Sequence, residues 1–296
     1  MRRSTRRDVL DAPTVDRYLR RLGIDDPGEP SIAALHALHR AHVERVPYEV
    51  LDIQLGRPST VNPKDSVARV LRGRGGYCVQ INSAFSTLLT ALGYHVTWHA
   101  ALVQAGAAPP APGVASAPHL AATVELDGEV WLIDPGLGDG LHDPVPLRAG
   151  TYRQGPFTFR VGPSQVRPGG WRFDHDPLGA ITGIDFSMSR ASQDEFDEWH
   201  PFLCTSPESR LVRAATVMRR DADRVDNLTG CMLRRVDSGG RTVRELATPN
   251  DWYGALADIF GLRLDDIDEW ERAALWAKVR GAHEAWLAAK AKRLAG

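Results

Sequence analysis

Residues 78–103 of the chain read CVQINSAFSTLLTALGYHVTWHAALV, and the spacing of their apolar side chains changes at Gly93. Before Gly93 the apolar residues recur as they would on one face of a helix. From His95 to Val103 they alternate with polar residues, and several are β-branched or aromatic, as in a strand. The stretch therefore predicts a helix that begins at Cys78 and ends at Gly93, followed by a β-strand.

Helical spacing dominates the chain before Cys78, and strand-like pieces dominate the part that follows. Further helices are predicted over residues 13–46, interrupted by a Gly-, Pro- and Asp-rich break at 23–30, and over 66–71 and 265–292. Strands are predicted over residues 95–103, 119–126, 129–134, 151–161, 171–174 and 210–219. Helices first, then antiparallel strands and a mixed C-terminal part are typical of an α+β protein with two or three domains.

The composition argues against several classes of protein. Lys and Arg number 36 and Asp and Glu 37, whereas a nucleic-acid-binding protein usually carries a basic face. No apolar run approaches the roughly 18 residues that a membrane span requires, and no secretory signal is visible. Three widely spaced cysteines fit a reducing compartment better than a disulfide framework. We therefore expect a cytoplasmic protein whose partners are neither nucleic acids nor membranes.

A hairpin brings two candidate catalytic side chains together. The dipeptide Asp127-Gly128 is typical of a two-residue turn, so the residues on either side of it pair. Counting back from that turn, Asp134 lies opposite Ala121, and His119 lies two residues further along the same face. Such a diagonal pair is about 7–8 Å apart at the backbone, within reach of side chains. A carboxylate there can hold the imidazole in one tautomer and stabilise its charged form.

Cys78 is the candidate nucleophile. It opens the predicted helix and follows a short basic, glycine-rich run that includes Arg74, Gly75 and Gly76. A helix N-terminus favours an anion by about 0.3–1 kcal/mol, and nearby arginines add to that effect. The thiol is therefore biased towards thiolate, the form that attacks a carbonyl carbon.

These residues suggest a Cys–His–Asp arrangement with Cys78 as nucleophile, His119 as base and Asp134 as the orienting acid. Each residue also has an ordinary interpretation. A cysteine that opens an apolar helix is more often a small buried side chain. A strand histidine is usually half-buried, and an aspartate before Pro-Gly is usually a turn residue. The spacing alone leaves both interpretations open.

Three other features carry weaker signals. The glycine-rich stretch 136–140 has the spacing of a phosphate loop, but no helix start follows it, so we interpret it as a turn. The Asp-His-Asp run at 174–176 has no second His or Cys cluster at zinc-like spacing, so we expect no metal. Cys204 and Cys231 have no glycine cluster or evident base beside them and are interpreted as structural thiols.

Several segments resemble segments of the arylamine N-acetyltransferases and come in that family's order. The most specific is RGGYCVQIN, residues 74–82, which is similar to the active-site signature of the family. The other similar segments are 40–49 (RAHVERVPYE), 118–120 (PHL), 132–138 (LIDPGLG) and 204–210 (CTSPESR). The resemblance covers about residues 13–265.

The resemblance implies three domains: a helical domain with the nucleophile (1–93), a β-barrel-like domain with His and Asp (94–205), and an α/β lid with a C-terminal helix (206–296). It also implies a papain-like triad and ping-pong chemistry. Acetyl-CoA, or another acyl-CoA or acyl thioester, would acylate the cysteine. The acyl group would then pass to the nitrogen of an arylamine, arylhydrazine or similar amine.

The resemblance further assigns residues around the reacting groups. Those expected to bind the acceptor or CoA are Leu137, Gly138, Phe202 and Ser206. Those expected to support the geometry of the site are Arg74, Gly75, Gly76, Gln80 and Glu49. We expect a small-molecule amine and an acyl-CoA as partners, no metal, and a monomer or a homodimer.

Two departures from the family pattern lie near the chemistry. Gln80 stands where the family usually has glutamate, and Leu137 stands where it usually has an aromatic residue that faces the arylamine. Val50 and Pro135 replace the usual Asn and Val. A leucine-lined pocket is compatible with an alternative function, a macrolactam-type amide synthase that acts on a polyketide-type acyl thioester with an acyl carrier protein as partner. A thioesterase-like hydrolase or a non-catalytic protein is a second alternative.

Overall fold

The computed structural model describes residues 10–104 and 118–295. The predicted domain boundaries at the chain ends, and the Ala-, Gly- and Pro-rich stretch 105–117 before His119, fall partly or wholly outside the described residues. The described residues form nine α-helices: α1 (Ala12–Leu22), α2 (Ile32–Arg45), α3 (Leu51–Leu55), α4 (Pro63–Leu71), α5 (Cys78–Ala91), α6 (Gln193–Thr205), α7 (Arg210–Arg213), α8 (Pro249–Asp258) and α9 (Glu269–Ala295).

Two antiparallel sheets accompany the helices. Their strands are β1 (Tyr48–Glu49), β2 (His95–Gln104), β3 (Pro118–Leu126), β4 (Glu129–Ile133), β5 (Val145–Pro146), β6 (Gly150–Gln154), β7 (Phe157–Pro163), β8 (Trp171–Asp174), β9 (Gly183–Phe186), β10 (Thr216–Arg220), β11 (Arg224–Thr229), β12 (Met232–Asp237) and β13 (Gly240–Glu245). The larger, barrel-like sheet has the order β5-β4-β3-β2-β9-β8-β7-β6, and the smaller has the order β1-β10-β11-β12-β13. The predicted α+β class is confirmed.

Helix α5 lies in the largest core and fixes the position of the candidate nucleophile. Phe85 and Leu88 on α5 are fully buried and share that core with Leu120 and Val124 of β3. Burial of one such side chain contributes about 1.5–3 kcal/mol to stability. The start of α5 is thereby held against β3, the strand that carries His119. The other cores lie on the barrel-like sheet and between the smaller sheet and α8 and α9.

Two strand predictions are wrong in detail. Residues 151–161 form a hairpin rather than one strand, because Gly155 adopts a φ of 61° and turns the chain between β6 and β7. Residues 210–219 begin as the short helix α7, because the Ser209 side chain accepts a hydrogen bond from the Leu211 N–H. Only the end of that stretch is a strand.

Strand β1 links the N-terminal part of the chain to the smaller sheet. Tyr48 pairs with Met218 and Glu49 pairs with Val217 of β10. Leu51 then enters the core between the smaller sheet and α8. The domain boundaries drawn from the resemblance remain a proposal. Within the two described ranges, no helix combines the length and apolar character needed to span a bilayer.

Candidate active site

Cys78 is the first residue of α5, as the sequence predicts, and it is half-buried. The side chain of Gln80 closes the start of this helix. Its Oε1 accepts a hydrogen bond from the Tyr77 N–H at 3.3 Å, and its Nε2 donates to the Thr60 carbonyl at 2.9 Å. The glutamine that replaces the family's usual glutamate therefore caps the helix, and the thiol lies at the positive end of the helix dipole.

His119 and Asp134 form the predicted pair. Ala122 pairs with Ile133, as a two-residue turn at Asp127-Gly128 requires. His119 Nε2 lies 2.7 Å from Asp134 Oδ2, and each side chain is 1% exposed. The hairpin register thus produces a direct buried hydrogen bond between imidazole and carboxylate.

The neighbours of His119 determine its protonation. Burial acts to lower its pKa, but the negative charges of the Asp134 carboxylate and of a Cys78 thiolate outweigh burial, and the pKa rises to about 10. Because Nε2 contacts Asp134, Nδ1 is the ring nitrogen left to face Cys78. The imidazole can therefore hold a proton taken from the thiol, which produces a thiolate beside an imidazolium.

Asn82 is a site residue that the sequence analysis missed. Its Nδ2 donates to Asp134 Oδ1 at 2.6 Å and to the Leu120 carbonyl at 2.5 Å. Its Oδ1 accepts a hydrogen bond from the Gly136 N–H at 2.8 Å. The signal was present in the sequence, because a residue four positions after Cys78 lies on the same face of the helix.

Gly136 lets the loop after β4 approach the nucleophile. An added Cβ would lie 2.7 Å from both the Cys78 carbonyl oxygen and Asn82 Nδ2. Gly136→Ala is therefore expected to push the loop away from α5 and to lower the free energy of unfolding by about 1–3 kcal/mol. Displacement of Asp134 with the loop is expected to slow alkylation of Cys78 by iodoacetamide at least about 10-fold.

Gly162→Ala on β7 is the matched control for Gly136→Ala, because no atom lies within 4 Å of its added Cβ. Urea unfolding and alkylation rates would be measured on both variants. Alkylation of Gly136→Ala at the wild-type rate would show that the chemistry does not depend on this close approach.

Two buried arginines hold the segment before Cys78. Arg74 Nη2 lies 3.2 Å from Glu49 Oε1 and 3.0 Å from Asp52 Oδ1, and Arg69 Nη2 lies 2.8 Å from Glu49 Oε1. Burial acts against the charge of Arg74, but the neighbouring carboxylates outweigh it and raise its pKa. Arg74 and Glu49 thus support the backbone that leads into the nucleophile.

The two glycines before Tyr77 are required by close packing. An added Cβ at Gly75 would lie 1.8 Å from the Pro47 carbonyl oxygen, and one at Gly76 would lie 2.6 Å from Gln80 Oε1. A larger side chain at Gly75 would displace the turn that presents Cys78, and one at Gly76 would displace the Gln80 side chain that caps α5.

A cavity of about 1150 Å³ opens onto Cys78 and His119. This volume exceeds the roughly 300–1,000 Å³ of most small-molecule sites. Its walls come from the loop after β4, from α6 and α7, from the smaller sheet and from α9. Four of its lining residues are cations for which no ion pair is seen in the described part of the chain: Arg210, Arg213, Arg234 and Lys290.

The residues assigned to substrate binding differ in their positions. Leu137 and Phe202 line the cavity, and Phe202 is 40% exposed at its edge. Gly138 packs behind the wall against Tyr48, whose Cβ would lie 2.7 Å from an added Cβ. Ser206 lies after the end of α6, where its Oγ accepts a hydrogen bond from the Glu208 N–H at 3.2 Å, and it is not part of the cavity wall.

Comparison with known proteins places this fold and site in a family. A family model described as N-acetyltransferase matches residues 31–269. The arylamine N-acetyltransferase of Mycobacterium tuberculosis is 30% identical over 272 residues, which cover 88% of this chain and 93% of that protein. The chain belongs to the arylamine N-acetyltransferase family.

Two further relatives bear on the donor and on the alternative function. The structure of the Mycobacterium marinum enzyme in complex with CoA has a TM-score of 0.80 and 26% identity, covering 90% of this chain and 98% of that one. Proansamycin X synthase of Amycolatopsis mediterranei is 30% identical over 152 residues, 50% of this chain and 57% of that protein. The match to the Mycobacterium tuberculosis enzyme therefore extends much further along the chain than the match to proansamycin X synthase.

The expectation that Cys204 has no base beside it is wrong. Cys204 does have a histidine beside it, because its Sγ lies 3.5 Å from His200 Nδ1, one helical turn earlier on α6. That imidazole is already bound to the Tyr77 hydroxyl at 2.8 Å and the Ser59 carbonyl at 2.6 Å. Burial raises the pKa of the Cys204 thiol. Cys204 therefore remains best interpreted as a structural thiol.

Over residues 10–104 and 118–295, no three His, Cys, Asp or Glu side chains cluster in a way that could hold a metal ion. In the Asp-His-Asp run, His175 Nε2 lies 3.3 Å from Asp139 Oδ1, and Asp176 Oδ2 accepts a hydrogen bond from the Thr158 N–H at 2.8 Å. These side chains join the loop after β4 to the barrel-like sheet.

Proposed function

We propose that this protein transfers an acyl group, foremost acetyl, from acyl-CoA through a Cys78 thioester to the nitrogen of an arylamine or similar amine. The observation that carries the proposal is the buried 2.7 Å hydrogen bond between His119 and Asp134, beside a cysteine that opens a helix. The names of the mycobacterial relatives, and the relative solved with CoA, support the same donor and acceptor classes. We propose a cytoplasmic location and a monomer or homodimer on the sequence alone.

Three side chains suffice for both half-reactions. Cys78 Sγ attacks the thioester carbonyl carbon of acyl-CoA, and the CoA thiolate leaves with the proton that His119 took from Cys78. The amine then attacks the acyl carbon on Cys78 while His119 removes the amine proton. The C–S bond breaks, the amide leaves and the Cys78–His119 pair is restored. Asp134 keeps the His119 ring oriented and stabilises its charge throughout.

The cations of the cavity support a phosphate-bearing donor. Arg234 is half-buried, and its Nε has no hydrogen-bond partner among the described residues. A buried guanidinium N–H without an acceptor is unfavourable, whereas a phosphate group would satisfy it with a short, charge-assisted hydrogen bond. The phosphates of CoA are such groups, and a donor that lacks them would not use these cations.

Arg234→Gln is expected to raise the KM for acetyl-CoA about 10-fold, the loss of one charge-assisted hydrogen bond of roughly 1.4 kcal/mol. The KM for S-acetyl-N-acetylcysteamine, a thioester without phosphates, should not change. Steady-state kinetics with both donors and one arylamine would measure the two effects.

Arg244→Gln is the matched control, because Arg244 is an exposed cation on β13 that does not line the cavity. It removes the same charge from the same sheet and should leave both KM values unchanged. An equal rise in both donors' KM for Arg234→Gln would contradict a phosphate site at this position.

The proposed function is tested by intact-protein mass spectrometry. Mixing the protein with acetyl-CoA should add one acetyl group, and an arylamine should then remove it and yield the N-acetylated product. A stable adduct formed only from longer acyl thioesters would support the amide synthase instead. Adducts that water alone removes as fast as the amine does would support a hydrolase, and no adduct from any donor would refute acyl transfer.

A further inference from the structure

Helix α2 presents polar side chains to the loop that follows β4, residues 134–143. His36 Nδ1 and Arg40 Nε lie 2.8 and 2.5 Å from Asp143 Oδ1. Glu44 Oε1 lies 2.8 Å from His142 Nε2. These contacts hold the far end of the loop against α2, whereas Leu137 and Asp139, earlier in the loop, line the cavity.

His39 on α2 contacts both ends of the same loop. The Asp134 N–H donates a hydrogen bond to His39 Nε2 at 3.3 Å, and His39 Nδ1 lies 2.9 Å from the His142 carbonyl oxygen. A carbonyl only accepts, so Nδ1 carries the proton and Nε2 is free to accept. The ring is fully buried, and burial lowers its pKa to about 3, which keeps it neutral. The neutral His39 ring, with its proton on Nδ1, thus bonds to the backbone of both Asp134 and His142.

The bond to the Asp134 N–H meets a local need. Strand β4 ends at Ile133, so the backbone of Asp134 leaves the sheet with φ −153° and ψ 71° just before Pro135. A buried N–H without a partner costs about 1–3 kcal/mol, and His39 supplies the partner from outside the sheet. The backbone of Asp134 is therefore fixed by His39, while its carboxylate is fixed by Asn82 and His119.

We propose that His39 is a positioning residue for the catalytic triad, holding the backbone of Asp134 so that its carboxylate meets His119. This inference rests on the proposed function, and it assigns His39 no contact with substrate. Loss of the Nε2 acceptor would let the start of the loop move, and a displacement of about 1 Å in a catalytic group can cost as much as 100-fold in rate.

His42 provides a matched control on the same helix. Like His39, His42 is fully buried. Both rings pack against Phe85: the ring centroid of His42 lies 4.7 Å from that of Phe85, and the ring centroid of His39 lies 5.7 Å from it. His42 Nε2 lies 2.9 Å from the Tyr18 hydroxyl and not near the loop. A leucine at position 42 therefore disturbs the same core without removing a contact to the triad.

The test compares His39→Leu, His39→Gln and His42→Leu in the full chain. His39→Leu should slow acylation of Cys78 by acetyl-CoA about 10- to 100-fold at an unchanged KM. The pH profile of Cys78 alkylation by iodoacetamide should also move to higher pH, because a misplaced carboxylate supports the His119 imidazolium less. His39→Gln should restore most of both, since its amide oxygen can accept the Asp134 N–H. His42→Leu should lose thermal stability only.

Two results would overturn the proposal. One is an alkylation profile of His39→Leu that coincides with the wild-type profile. The other is an equal loss of acylation rate per folded molecule in His39→Leu and His42→Leu, which would show that any disturbance of this core slows the reaction. If the wild-type protein takes no acetyl group, the proposed function fails, but the alkylation profiles still decide whether His39 positions the triad.

Discussion

Cys78→Ala is expected to take no acyl group from acetyl-CoA or from any longer acyl-CoA, and to lose all measurable transfer to an arylamine. The reason is chemical, because the methyl side chain of alanine has no electron pair to attack the thioester and no step can replace the covalent intermediate. Intact-protein mass after mixing with each donor gives the answer directly. Cys78 is half-buried at a helix start, so the substitution should leave the fold intact.

Cys204→Ala is the control for that experiment. It removes a second half-buried thiol that also has an imidazole beside it. The acetyl adduct should form on Cys204→Ala at the wild-type rate. An adduct that persists in Cys78→Ala but disappears in Cys204→Ala would assign the nucleophile to α6 and refute the proposed site.

Asp134→Asn is expected to lower the rate of acylation about 10³- to 10⁴-fold while the shape of the site is kept. The Asn82 amide donates to Asp134 Oδ1, so an asparagine at 134 would turn its oxygen to Asn82 and its NH₂ to His119 Nε2. That arrangement forces the proton onto Nδ1, the nitrogen that faces Cys78. The ring then cannot accept the thiol proton.

The pH dependence of Asp134→Asn has a definite sign. With the carboxylate gone, burial is left to lower the pKa of His119 from its raised value of about 10. The imidazolium is then depleted at neutral pH, and alkylation of Cys78 by iodoacetamide should fall there more than at alkaline pH. Rapid-quench acylation and alkylation from pH 5 to 10 would measure both effects.

Asp185→Asn serves as the control, because Asp185 is equally buried in the barrel-like sheet, where it is bound by Arg172, Ser164 and Gln104. It should lower thermal stability and leave the acylation rate per folded molecule unchanged. Wild-type acylation by Asp134→Asn would remove Asp134 from the mechanism.

The sequence predicts the parts of the site that local patterns determine. The start of α5 follows from a glycine-rich run before helical spacing, and the His119–Asp134 pair follows from one turn dipeptide and the alternation of strand side chains. Each depends on residues close together in the chain. The same holds for the helices at the beginning and end, whose apolar spacing is regular.

The missed contacts join residues far apart in the chain. Asn82 is 52 residues from Asp134, and His39 is 95 residues from it. Helical spacing places Asn82 on the same face as Cys78, but only the packing of α2 and α5 around the loop brings Asn82 and His39 to Asp134. The four cations of the cavity were missed for the same reason, because they lie on α7, β12 and α9 and meet only in the folded chain.

Helix α9 forms one wall of the cavity through Val279, Ala282, His283, Trp286 and Lys290. Cys78 and His119, by contrast, reach the cavity from α5 and β3, and Asp134 is held by groups on α2 and α5. The proposed reacting groups and this wall of the cavity therefore belong to different elements of the chain. A library confined to the cavity-facing positions of α9 could be screened for new donors or acceptors without risk to the reacting groups. The same separation would let natural variants change their substrates by drift in this helix while the acyl-transfer machinery stays as it is.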